Sequence, residues 1–204
     1  MLVNQRRIAR HAPIIAALLT FTACTDMASP NATRTDDHAA AMSVQWAGNP
    51  ELGKALAAIR AATAKFHDEP VALAAGYAYP PVAFCEASST GAMGVHHPNR
   101  ELLGFMPGPI PTGTDAEIDL LRPEVLLYEP QPDGTRKLVA IEYVVYRAAW
   151  DAVNSDPPTL LGVPFDERFG TNTHGHAEHY ELHVWLWRNN PLGMFAPYNP
   201  KVRC

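Results

Sequence analysis

One stretch concentrates the groups that do chemistry. His174-Gly175-His176-Ala177-Glu178-His179-Tyr180-Glu181-Leu182-His183-Val184-Trp185-Leu186-Trp187 holds four of the nine histidines of the 204-residue chain and ends in a β-forming run with two tryptophans. Imidazoles and carboxylates set beside apolar surface are what metal ligation or proton transfer requires. If residues 179–187 form a strand, alternation puts His179, Glu181, His183, Trp185 and Trp187 on one face and Tyr180, Leu182, Val184 and Leu186 on the other. The aliphatic face would pack on the core, and the His/Glu/Trp face would floor a pocket that takes a small ligand.

Spacing limits what a metal can use there. At ~3.3 Å per residue, His179 and His183 lie ~13 Å apart on a straight strand, too far to share one ion, whereas Glu181 and His183 at i, i+2 can. A third ligand has to come from elsewhere, from His96 or His97 in Gly91-Ala92-Met93-Gly94-Val95-His96-His97-Pro98-Asn99, or from His174 or His176. His96 and His97 are adjacent and point to opposite sides of an extended chain, so one of them faces the pocket. The expected ligand set is His96, Glu181 and His183, around a transition metal such as Zn²⁺ or Cu²⁺.

Two other readings use the same residues. His183 as acid–base group, oriented by Glu142 or Glu181, would make the site catalytic, with His183 and Glu142 as its pair. Glu142 sits mid-strand with Leu138, Ala140 and Val144 on its face, and a carboxylate in apolar company has either a raised pKa or a partner, unless it is an edge glutamate reaching solvent. The alternative to both is a packed aromatic core with hydrogen-bonded histidines in a protein that works by contact. On a helix His176, His179 and His183 would also share a face, but Val-Trp-Leu-Trp favours a strand. The chain has no Gly-x-Ser-x-Gly, GxGxxG, P-loop or HExxH, and nothing ties Ser88-Ser89-Thr90 to a base.

The elements that must position these groups follow from capping and periodicity. Asn49-Pro50-Glu51 is a helix start, and Leu52, Leu56, Ile59, Thr63 and Phe66 recur at helical spacing, predicting a helix over 50–66. A short helix over 70–75 stops at Gly76. Residues 123–129 and 137–146 read as strands joined by a turn containing Asp133-Gly134, with Glu124, Tyr128 and Glu129 as surface and packing groups. Residues 156–175 are dense in Pro and Gly and too long for an idle loop. Helices first and strands after predict an α+β fold: an N-terminal helix on a mainly antiparallel sheet, one domain over 50–204.

The N-terminus reads as an address. Arg6, Arg7 and Arg10 precede a short apolar core, too short to span a bilayer, that ends in Phe21-Thr22-Ala23-Cys24. This resembles a bacterial lipobox: residues 1–24 form a lipoprotein-type signal peptide, Cys24 is the lipidation site, and residues 25–49 form a flexible polar tether. An ordinary secretory signal with Cys24 incidental is the alternative. The full chain carries 16 basic and 21 acidic residues. Cleavage before Cys24 removes three arginines and no acid, leaving 13 against 21, a net charge of −8. So acidic a domain, with no basic run, argues against nucleic acid as partner. The setting expected is the extracytoplasmic cell envelope, held to a membrane by the lipid. There Cys85 and Cys204 are an even pair in an oxidising compartment, worth about 2–4 kcal/mol as a disulfide. A Cys-containing metal or redox site is the competing use, without a CxxC or a nearby histidine to support it.

At Gly91–Asn99, Arg122–Pro130 and Leu182–Cys204 the chain resembles an uncharacterised family of exported bacterial proteins with GAMGxHxxN, RPExLLYEP and LHVWLWxxNPxGMFAPxNPxVxC segments. The resemblance implies an exported setting and a tail disulfide, and no reaction. His97 stands where that pattern has an aromatic residue, which favours His96 as the ligand.

Overall fold

The computed structural model describes residues 49–78, 85–170 and 175–204. The signal-peptide, tether and Cys24 expectations therefore fall outside the described residues, as does His174, while Asn49 is described. Asn49 caps the first helix as expected: its Oδ1 accepts from the backbone N–H of Glu51 at 3.0 Å and of Leu52 at 3.3 Å, which satisfies donors the helix itself leaves open. Helix α1 spans Pro50–Thr63 and tightens into a 3₁₀ turn over Ala64–His67. Helix α2, Glu69–Ala74, ends before Gly76, whose φ of +91° reverses the chain at no Cβ cost.

Strands β1 (Cys85–Ser88), β2 (Gly91–Pro98), β5 (Val125–Pro130), β6 (Arg136–Tyr146), β10 (His179–Val184) and β9 (Asp166–Arg168) form one six-stranded sheet in that spatial order. Every neighbouring pair is antiparallel. Two short hairpins stand apart from it, β3 (Phe105–Met106) with β4 (Thr112–Gly113) and β7 (Thr159–Leu160) with β8 (Val163–Pro164). A one-turn helix α3, Arg147–Asp151, follows β6. The fold is thus α+β with an antiparallel sheet and a helix N-terminal to it. Among the described residues no helix is long and apolar enough to cross a membrane.

The sheet has two differently covered faces. On one, Leu126, Tyr128, Leu138, Ile141, Tyr143, Val145, Tyr180, Leu182 and Val184 share a buried cluster with Leu52, Leu56 and Ile59 of α1 and with Phe66. Burial of this apolar surface, at roughly 25 cal/mol per Å², is what fixes α1 on the sheet. On the other face Ala92, Val125, Leu127, Val139, Ala140 and Trp185 pack with Val202. The C-terminal segment covers this second face. It is held by Trp185 Nε1 donating to the Ala196 carbonyl at 2.6 Å, by reciprocal Ala92–Asn199 backbone bonds, and by the Cys85–Cys204 disulfide, 119 residues apart in sequence.

Several expectations are corrected. Strand β10 stops at Val184 and not at Trp187: Trp185 N–H turns to the Met194 carbonyl and Trp187 N–H to that of Val139. Trp187 consequently leaves the histidine face. It packs against the helix-side core, with His67 edge-on at 4.5 Å between ring centres. Leu138 does not share a face with Glu142, because a bulge pairs Tyr128 with Leu138 but Leu127 with Ala140, leaving Val139 extra and turning Leu138 over. Glu124 is no surface group: it is buried, and its Oε2 accepts from the Val144 N–H at 3.1 Å. The expectation that the Pro- and Gly-dense stretch is no idle loop agrees with its described part, residues 156–170. They contain the β7–β8 hairpin, turned at Leu161 and Gly162 with φ of 56° and 79°, and the edge strand β9.

Candidate metal centre

The polar face expected of residues 179–183 exists, and it is closed. Alternation along β10 sends His179, Glu181 and His183 to the side opposite Tyr180 and Leu182, and all three are buried. His183 lies directly opposite Glu142 on β6, the arrangement in which two side chains of one face meet most closely. His96 comes from β2, beyond β5, where it pairs with Leu127. The glycines of Gly91-Ala92-Met93-Gly94 explain how β2 can lie there. Gly94 has φ +104°, and a Cβ on it would stand 2.7 Å from the Tyr128 carbonyl oxygen of β5.

Glu142 joins the two imidazoles. Its Oε2 lies 3.6 Å from His96 Nε2 and its Oε1 3.7 Å from His183 Nε2. One ligand atom from each of His96, Glu142 and His183 can be chosen so that all three lie within 4.8 Å of one another. Four-coordinate Zn²⁺ with ligands at ~2.0–2.2 Å places them ~3.3–3.6 Å apart. The two His–Glu separations are close to that spacing, each to a different oxygen of Glu142, and the 4.8 Å span of the three-atom set exceeds it, so an ion would draw the three side chains together. His96 is 15% exposed at its side chain, through its carbon atoms, while both of its ring nitrogens and the whole of His183 are sealed.

Of the expected ligands, then, His96 and His183 are brought together, and the carboxylate lying between them is Glu142. Glu181 lies on the far edge of His183, with Oε1 3.7 Å from His183 Nδ1. Its Oε1 also receives the Arg168 guanidinium, Nε at 2.7 Å and Nη2 at 2.6 Å, and its Oε2 faces His179 Nε2 at 3.3 Å. His176 is elsewhere, with Nδ1 3.0 Å from the Tyr146 hydroxyl. His97 points to the helix face, as adjacency to His96 requires: its ring lies 4.4 Å from that of Tyr128 and its Nε2 3.7 Å from Glu69 Oε1. Burial pushes the His97 pKa down to about 4, with the Arg136 charge acting the same way.

The two central carboxylates are driven in opposite directions. Burial, with the Glu181 charge next, raises the Glu142 pKa well above the usual carboxylate range, against the pull of Arg168. Burial would raise Glu181 as well, but the His179 contact and the Arg168 and His183 charges hold it well below that range. Two further acids belong to the same face. Glu86 is buried and accepts from the Tyr198 hydroxyl at 2.8 Å. Burial and the Glu181 charge lift Asp166 to about 6. Among the described residues, Arg168 is the guanidinium set among these four acids, and sequence reasoning missed it. Its only sequence signal is the alternation Asp166-Glu167-Arg168 inside a Pro- and Gly-dense stretch.

A shallow surface groove of about 310 Å³ lies between Ser88–Ala92 and Pro200–Cys204 and shares no residue with this centre. The Ser88-Ser89-Thr90 cluster on its rim is a turn, with the Ser88 and Thr90 hydroxyls 2.8 Å apart. No family model, no curated protein and no solved structure matches the chain.

Proposed function

We propose that this chain is an exported, lipid-anchored protein of the bacterial cell envelope that binds a transition metal, Zn²⁺ or Cu²⁺, through His96, Glu142 and His183, and through it a small ligand. The observation that carries the reading is the meeting of these three side chains from β2, β6 and β10 in a nearly closed site. Their surroundings support it. Glu86, Glu142, Glu181 and Asp166 share one side of the sheet with the Arg168 guanidinium, and a divalent cation offsets the cost of burying that excess of acids. Imidazole nitrogen with one carboxylate oxygen suits Zn²⁺ and Cu²⁺. The disulfide agrees with an oxidising compartment.

The test is elemental analysis of protein expressed in the periplasm and purified without added metal. The wild type is expected to carry one ion per chain, and His96→Ala and His183→Ala to carry none while keeping their circular dichroism. Equal metal in all three, or none in the wild type, refutes the reading. Cys24→Ser is expected to release the protein from the membrane fraction.

One observation favours a second reading, acid–base catalysis by His183 with Glu142. Neighbouring carboxylates whose pKa values are pushed apart are what an acid and a base require. A reaction that survives chelation and is lost in His183→Ala would establish it in place of the first.

A further inference from the structure

The centre has an asymmetry that a bare set of three ligands does not need. Both ring nitrogens of His183 face carboxylates, Nε2 toward Glu142 Oε1 and Nδ1 toward Glu181 Oε1, each at 3.7 Å. Glu181 is buried and held by Arg168, at 2.6 and 2.7 Å, and by His179, at 3.3 Å, and it also meets the Glu142 carboxyl through a side-chain hydrogen bond. His179 is itself oriented by the contact of its Nδ1 with the Ala177 carbonyl at 2.9 Å. Arg168 comes from β9, whose register puts Arg168 opposite His179 and Asp166 opposite Glu181. The whole edge strand thus meets the polar face at the carboxylate behind His183.

We infer that Glu181 is the positioning residue of the metal centre: held by Arg168 and His179, it accepts a hydrogen bond from His183 Nδ1–H and so fixes the ring with Nε2 toward the ion. This deepens the metal-binding reading and rests on it. Coordination through Nε2 leaves the proton on Nδ1, and a carboxylate facing that proton makes the imidazole a stronger donor to the metal. A closer approach of about 0.5–1 Å would bring the 3.7 Å contact to the length of a charge-assisted hydrogen bond. Glu181 is poorly suited to ligation itself, because the oxygen nearest His183 is already the one that receives both guanidinium nitrogens. The edge strand β9, and with it the Pro- and Gly-dense segment before it, then serves to deliver the guanidinium that holds Glu181 in place.

The full chain, loaded with Zn²⁺ and titrated against a chromophoric chelator, tests this. Glu142→Gln, which alters a ligand, is expected to abolish stoichiometric binding. Glu181→Gln keeps an acceptor without the charge and is expected to keep one ion per chain with affinity reduced by less than about tenfold. The double variant Glu181→Leu with Arg168→Met removes the acceptor without stranding a buried cation, and is expected to keep one ion with affinity reduced ~10–100-fold, the usual range for such partners. The readout that a merely structural role would not move is the ¹⁵N-coupled Nδ1–H resonance of His183. It should be downfield and slow to exchange in the Zn²⁺-loaded wild type, weakened in Glu181→Gln and gone in the double variant, with the His96 signals unchanged. If the double variant binds Zn²⁺ as tightly as the wild type, or if the His183 resonance persists in it, the positioning role is wrong. If Glu181→Gln abolishes binding as Glu142→Gln does, Glu181 is a ligand and the inference fails while the metal reading stands. A wild type that takes up no Zn²⁺ overturns both.

Discussion

Replacing Glu124 by glutamine is expected to stabilise this protein at alkaline pH, an unusual outcome for altering a buried charged residue. Glu124 is 2% exposed, and burial raises its pKa to about 8, with the Val144 N–H bond pulling the other way and the Asp115 and Asp119 charges adding to the rise. A folded-state pKa above the unfolded value of 4.5 means that the folded chain holds the proton more tightly. The stability from this group is therefore complete below about pH 4.5 and is lost as pH rises through about 8. At ~1.4 kcal/mol per pH unit over a shift of roughly 3.5 units, the loss amounts to about 4–5 kcal/mol. Glutamine keeps an oxygen for the Val144 N–H and cannot ionise, so its curve lacks that component. Urea denaturation of wild type and Glu124→Gln from pH 4.5 to 9 reads the difference, since Tyr77 and Tyr143, the groups that the Glu124 charge shifts, titrate above that range. The two are expected to be close at pH 4.5, with the variant more stable by several kcal/mol near pH 9. Parallel curves across that range would refute the assignment of a protonated, buried Glu124.

Three further outcomes are expected. Reducing the Cys85–Cys204 bridge opens a loop of 119 residues, for which loop entropy gives about 5 kcal/mol, above the roughly 2–4 kcal/mol typical of a disulfide because the loop is long, and a fall in Tm of roughly 10–20 °C, read by calorimetry with and without reductant. Gly94→Ala strains a φ of +104° and drives a Cβ to within 2.7 Å of the Tyr128 oxygen. It should cost at least about 2 kcal/mol in denaturant and weaken Zn²⁺ uptake, because the strand that carries His96 has to shift. His97→Phe replaces a sealed imidazole, uncharged near neutral pH, tilted against the Tyr128 ring and 3.7 Å from Glu69. It should change stability by less than about 1.5 kcal/mol and leave Zn²⁺ affinity untouched, as equilibrium titration will show.

Much of the scaffold is legible in the sequence because its signals are local. Asn49 and Pro50 mark a helix start whose cap bonds are present, and Asp133-Gly134 marks the turn between β5 and β6, with Gly134 at φ +84°. Side-chain alternation sorts His179, Glu181 and His183 from Tyr180, Leu182 and Val184, and adjacency sorts His96 from His97. What alternation cannot choose is a partner across strands. Several acids are open to His183 by pattern alone, and only the β6–β10 register, His183 opposite Glu142, decides which one lies between the two imidazoles. The bulge at Val139 is equally invisible to a period-two reading, which therefore puts Leu138 on the wrong face. Arg168 comes from a three-residue edge strand, too short to register as a periodic pattern, so the cation that organises the site carries no signal beyond its charge. Glu124 reads as surface because a lone glutamate at a strand start ordinarily is, and its burial goes with a bond to a main-chain amide of the next strand.

For the exported, metal-binding protein proposed above, the ordering of residues along the chain would have a consequence for how the ion is chosen. His96 and His183 are separated by the 87 positions from 96 to 183, and the tail that closes over their side of the sheet reaches Cys85 from 119 residues downstream. In a polypeptide threaded through a translocation pore from its N-terminal end, the first imidazole is outside long before the second arrives. If this chain is exported in that way, its pocket would be completed beyond the pore, and the ions present there, not the cytoplasmic supply, would compete for it. Intrinsic affinities along the divalent series differ mainly by element. Selectivity in such a protein would then be set by geography: the same side chains, assembled in the cytoplasm, would be offered a different choice of metals.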